Sequence, residues 1–150
     1  TDYEIIKYRS KISGPIMDRI DIQKEVHPVD FIAISDQKPC CSSEELRLKV
    51  ERARKIQQDR YMQESGINCN AQMTTELIRK YCVLDTDSLN LLRETSEKYG
   101  YSARVIHKLL RLSRTSADLE GEEKIRRQDV EKVLTCRELD KSNSKMVVVR

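Results

Sequence analysis

The chain has 150 residues and a formal net charge of +3, enough for one ordinary domain or for a small domain with a piece of another. Charged residues make up 35% and hydrophobic residues 38%, with one Phe and no Trp, which suits a well-solvated helical protein and disfavours a β-sandwich. No run approaches the ~18 consecutive apolar residues of a membrane span, the N-terminus lacks a basic start followed by an apolar stretch, and so small a charge does not by itself imply a nucleic-acid partner.

Five cysteines (Cys40, Cys41, Cys69, Cys82, Cys136) form no CxxC pair and no Cys/His cluster. No metal site is expected, and the odd count fits a reducing compartment. The expected location is the cytoplasm, without membrane association.

In chain order, residues 5–18 have helical character, and Gly14-Pro15 must end or kink any helix there. Residues 20–26 alternate apolar and polar side chains and are closed by His27-Pro28, which predicts a short strand. A lone strand leaves backbone groups unpaired, so its partners are expected outside this chain, as the remnant of a larger core. Residues 35–43, with Pro39, Cys40 and Cys41, read as a loop. Ser42 stands three residues before Glu45, a capping box that predicts a long helix to about Glu64, stopped by Gly66. Leu46, Val50, Ala53 and Ile56 recur at helical steps, while Lys49, Arg52, Arg54, Lys55 and Arg60 fall mostly elsewhere. An amphipathic helix with a basic exposed side is predicted.

Further helices are predicted over residues 75–81, 87–98 (stopped by Gly100), 102–119 (stopped by Gly121) and 127–139. The fold class is mainly α, a helical bundle preceded by a short helix-strand segment. Residues 141–150 carry no turn signal or partner run and are expected to be disordered.

No GxxxxGK[ST] loop, HExxH, GxSxG or Ser/His/Asp set is present. His107 sits among Val105, Ile106, Leu109 and Leu110 and reads as structural, because a catalytic His requires an orienting partner. Asp118 and Glu120 close a helix beside Gly121 and also read as structural. By itself the chain is not expected to be an enzyme.

Residues 8–21, Tyr-Arg-Ser-Lys-Ile-Ser-Gly-Pro-Ile-Met-Asp-Arg-Ile-Asp, resemble the segment near the end of the ATPase core in the magnesium-chelatase and ComM family of AAA+ ATPases. Ser102-Ala103-Arg104, followed at helical spacing by residues 112–121 (Leu-Ser-Arg-Thr-Ser-Ala-Asp-Leu-Glu-Gly), is similar to that family's lid helix. Gln57-Gln58-Asp59-Arg60-Tyr61 and Asn70-Ala71-Gln72-Met73 fit its C-terminal domain. The resemblance covers roughly residues 5–140 and divides the chain into the end of the ATPase core (1–35), a helical lid domain (42–140) and the tail. Ser113, Ser116 and Cys136 depart from the family pattern, which expects Ala, a larger apolar residue and an aromatic there; weaker core packing is the expected consequence.

The resemblance implies that Arg19 is an arginine finger reaching the γ-phosphate in the neighbouring subunit of a ring, expected to be a hexamer. A guanidinium fork is suited to this, because phosphoryl transfer spreads charge over the equatorial phosphate oxygens. Arg104 falls at the family's sensor-2 position, where the side chain and the positive helix N-terminus both favour phosphate. ATP and Mg2+ are then the expected ligands of the full-length protein, with no tight binding by this chain alone.

The bland alternatives are an Arg19 ion pair with Asp18 or Asp21, and a solvated Arg104 beside Lys108 and Arg111. The helix face of Arg104, His107, Lys108, Arg111 and Arg114 is also a candidate DNA surface, with Lys108, Arg111 and Arg114 as its contacts. Two functions follow from the resemblance: a DNA-processing motor that branch-migrates or remodels DNA, as in natural transformation, and a chelatase motor driving metal insertion into a porphyrin; a third reading, of a different class and suited to a chain without its own ATP site, is an assembly and interaction module without catalytic role.

Overall fold

The computed structural model describes residues 4, 7, 8, 11–24, 26, 28 and 41–137. The predicted tail, most of the predicted loop over 35–43, His27 and the expected helix end at residue 139 lie outside the described residues. The described chain is mainly helical: α1 (Gly14–Met17), α2 (Ser43–Arg60), a 3₁₀ turn (Asn70–Gln72), α3 (Thr75–Tyr81), α4 (Thr86–Tyr99), α5 (Ala103–Leu119) and α6 (Arg127–Thr135).

Helix starts follow the capping residues. The Ser42–Glu45 capping box forms as predicted, with Ser42 Oγ accepting from Glu45 N and Glu45 Oε2 accepting from Ser42 N at 2.8 Å. Thr74, Asp85 and Ser102 cap α3, α4 and α5 by accepting backbone N–H groups with their side chains. At the other end of α4, Gly100 adopts φ +63°, the left-handed conformation in which a glycine C-cap avoids a Cβ clash.

Two predicted boundaries move. The helix from Ser42 ends at Arg60 and not near Glu64, because Tyr61 turns into the core and the chain reverses to bring Asn70 back against it; Tyr61 Oη donates to Asn70 Oδ1 at 2.7 Å. Gly14-Pro15 opens α1, where the fixed proline φ suits a first turn.

No strand forms over residues 20–26 among those described. Gln23 makes one isolated parallel bridge to Arg137, with Gln23 N donating to the Cys136 carbonyl oxygen at 2.6 Å. Alternation marks a half-buried extended segment, and this one docks on helices with no neighbouring strand among the described residues.

The core is built around α5, which packs on α2, the 3₁₀ turn, α3 and α6, while α4 packs on α6. Met73, Ile78, Leu92, Val105, Leu109, Ala117, Val130 and Val133 are buried. Each large member contributes about 1.5 to 3 kcal/mol relative to an exposed side chain. Only the second half of α2 joins this core: Ala53 and Gln57 are buried, whereas every residue from Ser43 to Arg52, Leu46 and Val50 included, is exposed. Among the described residues no helix is long and apolar enough to cross a membrane.

Candidate phosphate-reading site

After α1 the backbone tightens through Arg19 N to Ile16 O (2.9 Å) and Ile20 N to Met17 O (3.1 Å), which presents residues 18–21 as a turn. Arg19 is exposed and donates from Nη1 to the Pro15 carbonyl oxygen at 2.9 Å. It forms no ion pair with Asp18 or Asp21. Those carboxylates face α5: Asp18 Oδ2 accepts from Ser102 Oγ at 3.0 Å, and Asp21 pairs with Lys108. Lys108 Nζ also donates to the Arg19 carbonyl oxygen. On the far side, Arg137 Nη1 donates to Ile20 O at 2.8 Å.

Arg104 stands in the first turn of α5, exposed, and makes no ion pair or side-chain hydrogen bond among the described residues. An uncommitted guanidinium at a positive helix end fits a phosphate group. Arg19 and Arg104 are therefore both carried at the end of α5 where the turn is docked, and neither pairs with a carboxylate among the described residues.

Lys108, Arg111 and Arg114, the expected DNA contacts, do not form a continuous exposed basic face along α5. Arg114 is 3% exposed and gives its guanidinium to Asp118 and to the carbonyl oxygens of Glu122 and Glu123. Arg111 is half-buried and donates to Met73 O at 2.6 Å, and Lys108 holds the Arg19 turn. Steps of three and four rotate around a helix that is surrounded on several sides, so these cations meet protein instead of water. His107 is half-buried with no orienting carboxylate among the described residues.

Spacing alone did not reveal the polar cluster at the centre of the bundle. Asp118, with a fully buried side chain, takes Arg60 in a two-pronged pair, Arg114 Nε at 3.0 Å and Asn70 Nδ2 at 2.8 Å. Asn70 also donates to Thr115 Oγ1, and its amide N–H donates to Gln57 Oε1. The three segments that resemble the family's C-terminal domain, over residues 57–61, 70–73 and 112–121, thus meet at one carboxylate. The i, i+4 spacing of Arg114 and Asp118 was the available signal. Burial opposes the charge of Arg60, and the hydrogen bonds and charge of Asp118 outweigh it, so its pKa is raised. The departure at Ser116 is matched by a partner, since its hydroxyl donates to Asp129 Oδ1 at 2.9 Å.

Burial raises the neighbouring Cys82 thiol to about 11 and the Tyr61 phenol to about 12, against opposing pulls from Arg114 and Arg60. Raised acids stay protonated in the fold after the unfolded chain has released its protons. The contribution of Cys82 is therefore complete below about pH 9 and lost as pH rises to about 11, by about 2 to 3 kcal/mol. Denaturant titrations at successive pH values should show this fall, and Cys82→Ala should flatten it between about pH 9 and 10, before Tyr61 contributes.

Residues 41–137 match the family model for the C-terminal part of magnesium chelatase, subunit ChlI, and residues 1–34 match that for magnesium chelatase, subunit ChlI. The competence protein ComM of Haemophilus influenzae is 33% identical over 124 residues, 81% of this chain and 23% of that protein. The YifB proteins of Salmonella typhimurium and Escherichia coli are 30% and 29% identical over 142 residues, 94% of this chain and 27% of each relative. The chain spans about a quarter of the length of these relatives. With this coverage, and with the family's motif segments meeting in one bundle, the chain belongs to the magnesium-chelatase ChlI family of AAA+ proteins, alongside ComM and YifB.

Proposed function

We propose that this chain is the arginine-bearing part of an ATP-driven homohexameric ring motor that remodels or branch-migrates DNA. The observation that carries the reading is the pair of exposed arginines, Arg19 and Arg104, at the docked end of α5, neither of them paired with a carboxylate among the described residues. Arg104 contacts the phosphates of ATP held by its own subunit, and Arg19 reaches the γ-phosphate of the neighbour, where a guanidinium fork stabilises the charge of phosphoryl transfer. The full-length protein binds ATP with Mg2+; this chain, which has no GxxxxGK[ST] loop, does not hold ATP tightly. The similarity to a competence protein favours DNA as the substrate. Cations open to a phosphate backbone are Lys49, Arg52 and Arg54 on α2, which are exposed and make no ion pair among the described residues.

The second reading, a chelatase motor that drives metal insertion into a porphyrin, is favoured by the family description. ATP turnover of the full-length protein separates the two. Strong stimulation by branched DNA over linear duplex is expected. Stimulation only by protoporphyrin with the other chelatase subunits would establish the second reading in place of the first.

A further inference from the structure

We infer that Lys108 is a positioning residue that couples the two phosphate-reading arginines, so that the nucleotide state sensed at Arg104 sets the placement of Arg19 in the neighbouring subunit's site. The inference rests on the roles given to Arg19 and Arg104 above.

Lys108 lies four residues beyond Arg104 on α5, one turn along the same face and about 6 Å along the axis. Its ammonium grips the Arg19 turn twice, at the Arg19 carbonyl oxygen and at the Asp21 carboxylate. The Lys108 side chain is 16% exposed and that of Asp21 58%, so the lysine stem is packed against the protein and its rotamer restricted while the pair itself opens to solvent. Ser102, the N-cap of the same helix, adds a third tie through Asp18.

The grip falls on the backbone and on the flanking acids, and the Arg19 guanidinium stays exposed. A tie of this kind places the side chain without consuming it. It also connects the Arg19 turn to α5: a shift of α5 that follows contact between Arg104 and phosphate carries Lys108 with it, and Lys108 carries the carbonyl of Arg19. The Asp21 carboxylate, which would otherwise compete with phosphate for Arg19, is paired with Lys108 in the same arrangement, and Asp18 is turned toward the Ser102 hydroxyl.

Two measurements test this. In the 150-residue chain, amide exchange over residues 18–23 should quicken about tenfold in Lys108→Met and in Asp21→Asn, while α3, α5 and α6 keep their protection. Asp21 is exposed, so the second variant leaves the core untouched. Unchanged exchange in both variants overturns the tie. In the full-length protein, Lys108→Met should lower kcat about tenfold with KM for ATP and ring assembly preserved, and Lys108→Arg should recover most of the loss. Quickened exchange with normal kcat, while Arg19→Ala is inactive, overturns the coupling. Quickened exchange with normal kcat in both Lys108→Met and Arg19→Ala overturns instead the finger role on which the coupling rests.

Discussion

Arg19→Ala in the full-length protein lowers ATP turnover by about 10³-fold or more with rings preserved, the low end of what arginine fingers contribute in nucleotide hydrolases. The fold should survive the substitution, because Arg19 is exposed and its one side-chain hydrogen bond is to the Pro15 carbonyl. Arg19→Lys should recover little, since an ammonium cannot reproduce the two-pronged contact with phosphate oxygens. Turnover and ring size are to be measured on the same samples. Near-normal turnover would remove the finger assignment, and loss of turnover together with loss of rings would support a role in assembly alone.

Asp118→Ala should destabilise the bundle by about 3 to 5 kcal/mol, the cost of leaving buried charge without its partner. Arg60 and Arg114 both direct their guanidinium groups at this one carboxylate, and Asn70 donates to it as well. Its removal strands two cations where water has little access, and marginal domain stability makes a loss of that size comparable to the total. Denaturant unfolding of the 150-residue chain provides the measurement. A loss below about 1 kcal/mol would mean that the cluster is already hydrated, and would reassign its worth to packing. Asp118→Asn should fall between the two, because an amide oxygen can still accept from one arginine while the charge is lost.

Comparison of the two arginine pairs shows what can be read from one dimension. Ser42 with Glu45, Ser102 and Gly100 mark helix ends correctly, since a cap is satisfied by backbone groups only a few residues away. Resemblance singles out Arg104 and Arg19, and the structure leaves both exposed. Arg111 and Arg114 follow Arg104 at similar helical steps, yet they point into the bundle. Their surroundings depend on residues from α2, the 3₁₀ turn and the loop before α6, which helical spacing does not convey.

What the sequence by itself determined is local or inherited: helical class, several cap positions, and membership of the family through three motif segments and the Arg19 region. The tertiary structure decided which charges are spent and which are open. It buried Asp118 between Arg60 and Arg114, converted the alternating residues 20–24 into a docked segment bridged to Arg137, and turned Lys108 from a surface cation into the tie that holds the Arg19 turn. The physical reason is one of range. Caps and propensities act across a single turn of chain, whereas the desolvation and pairing of a charge depend on partners as far apart as Arg60 and Asp118 in sequence, which only packing brings together.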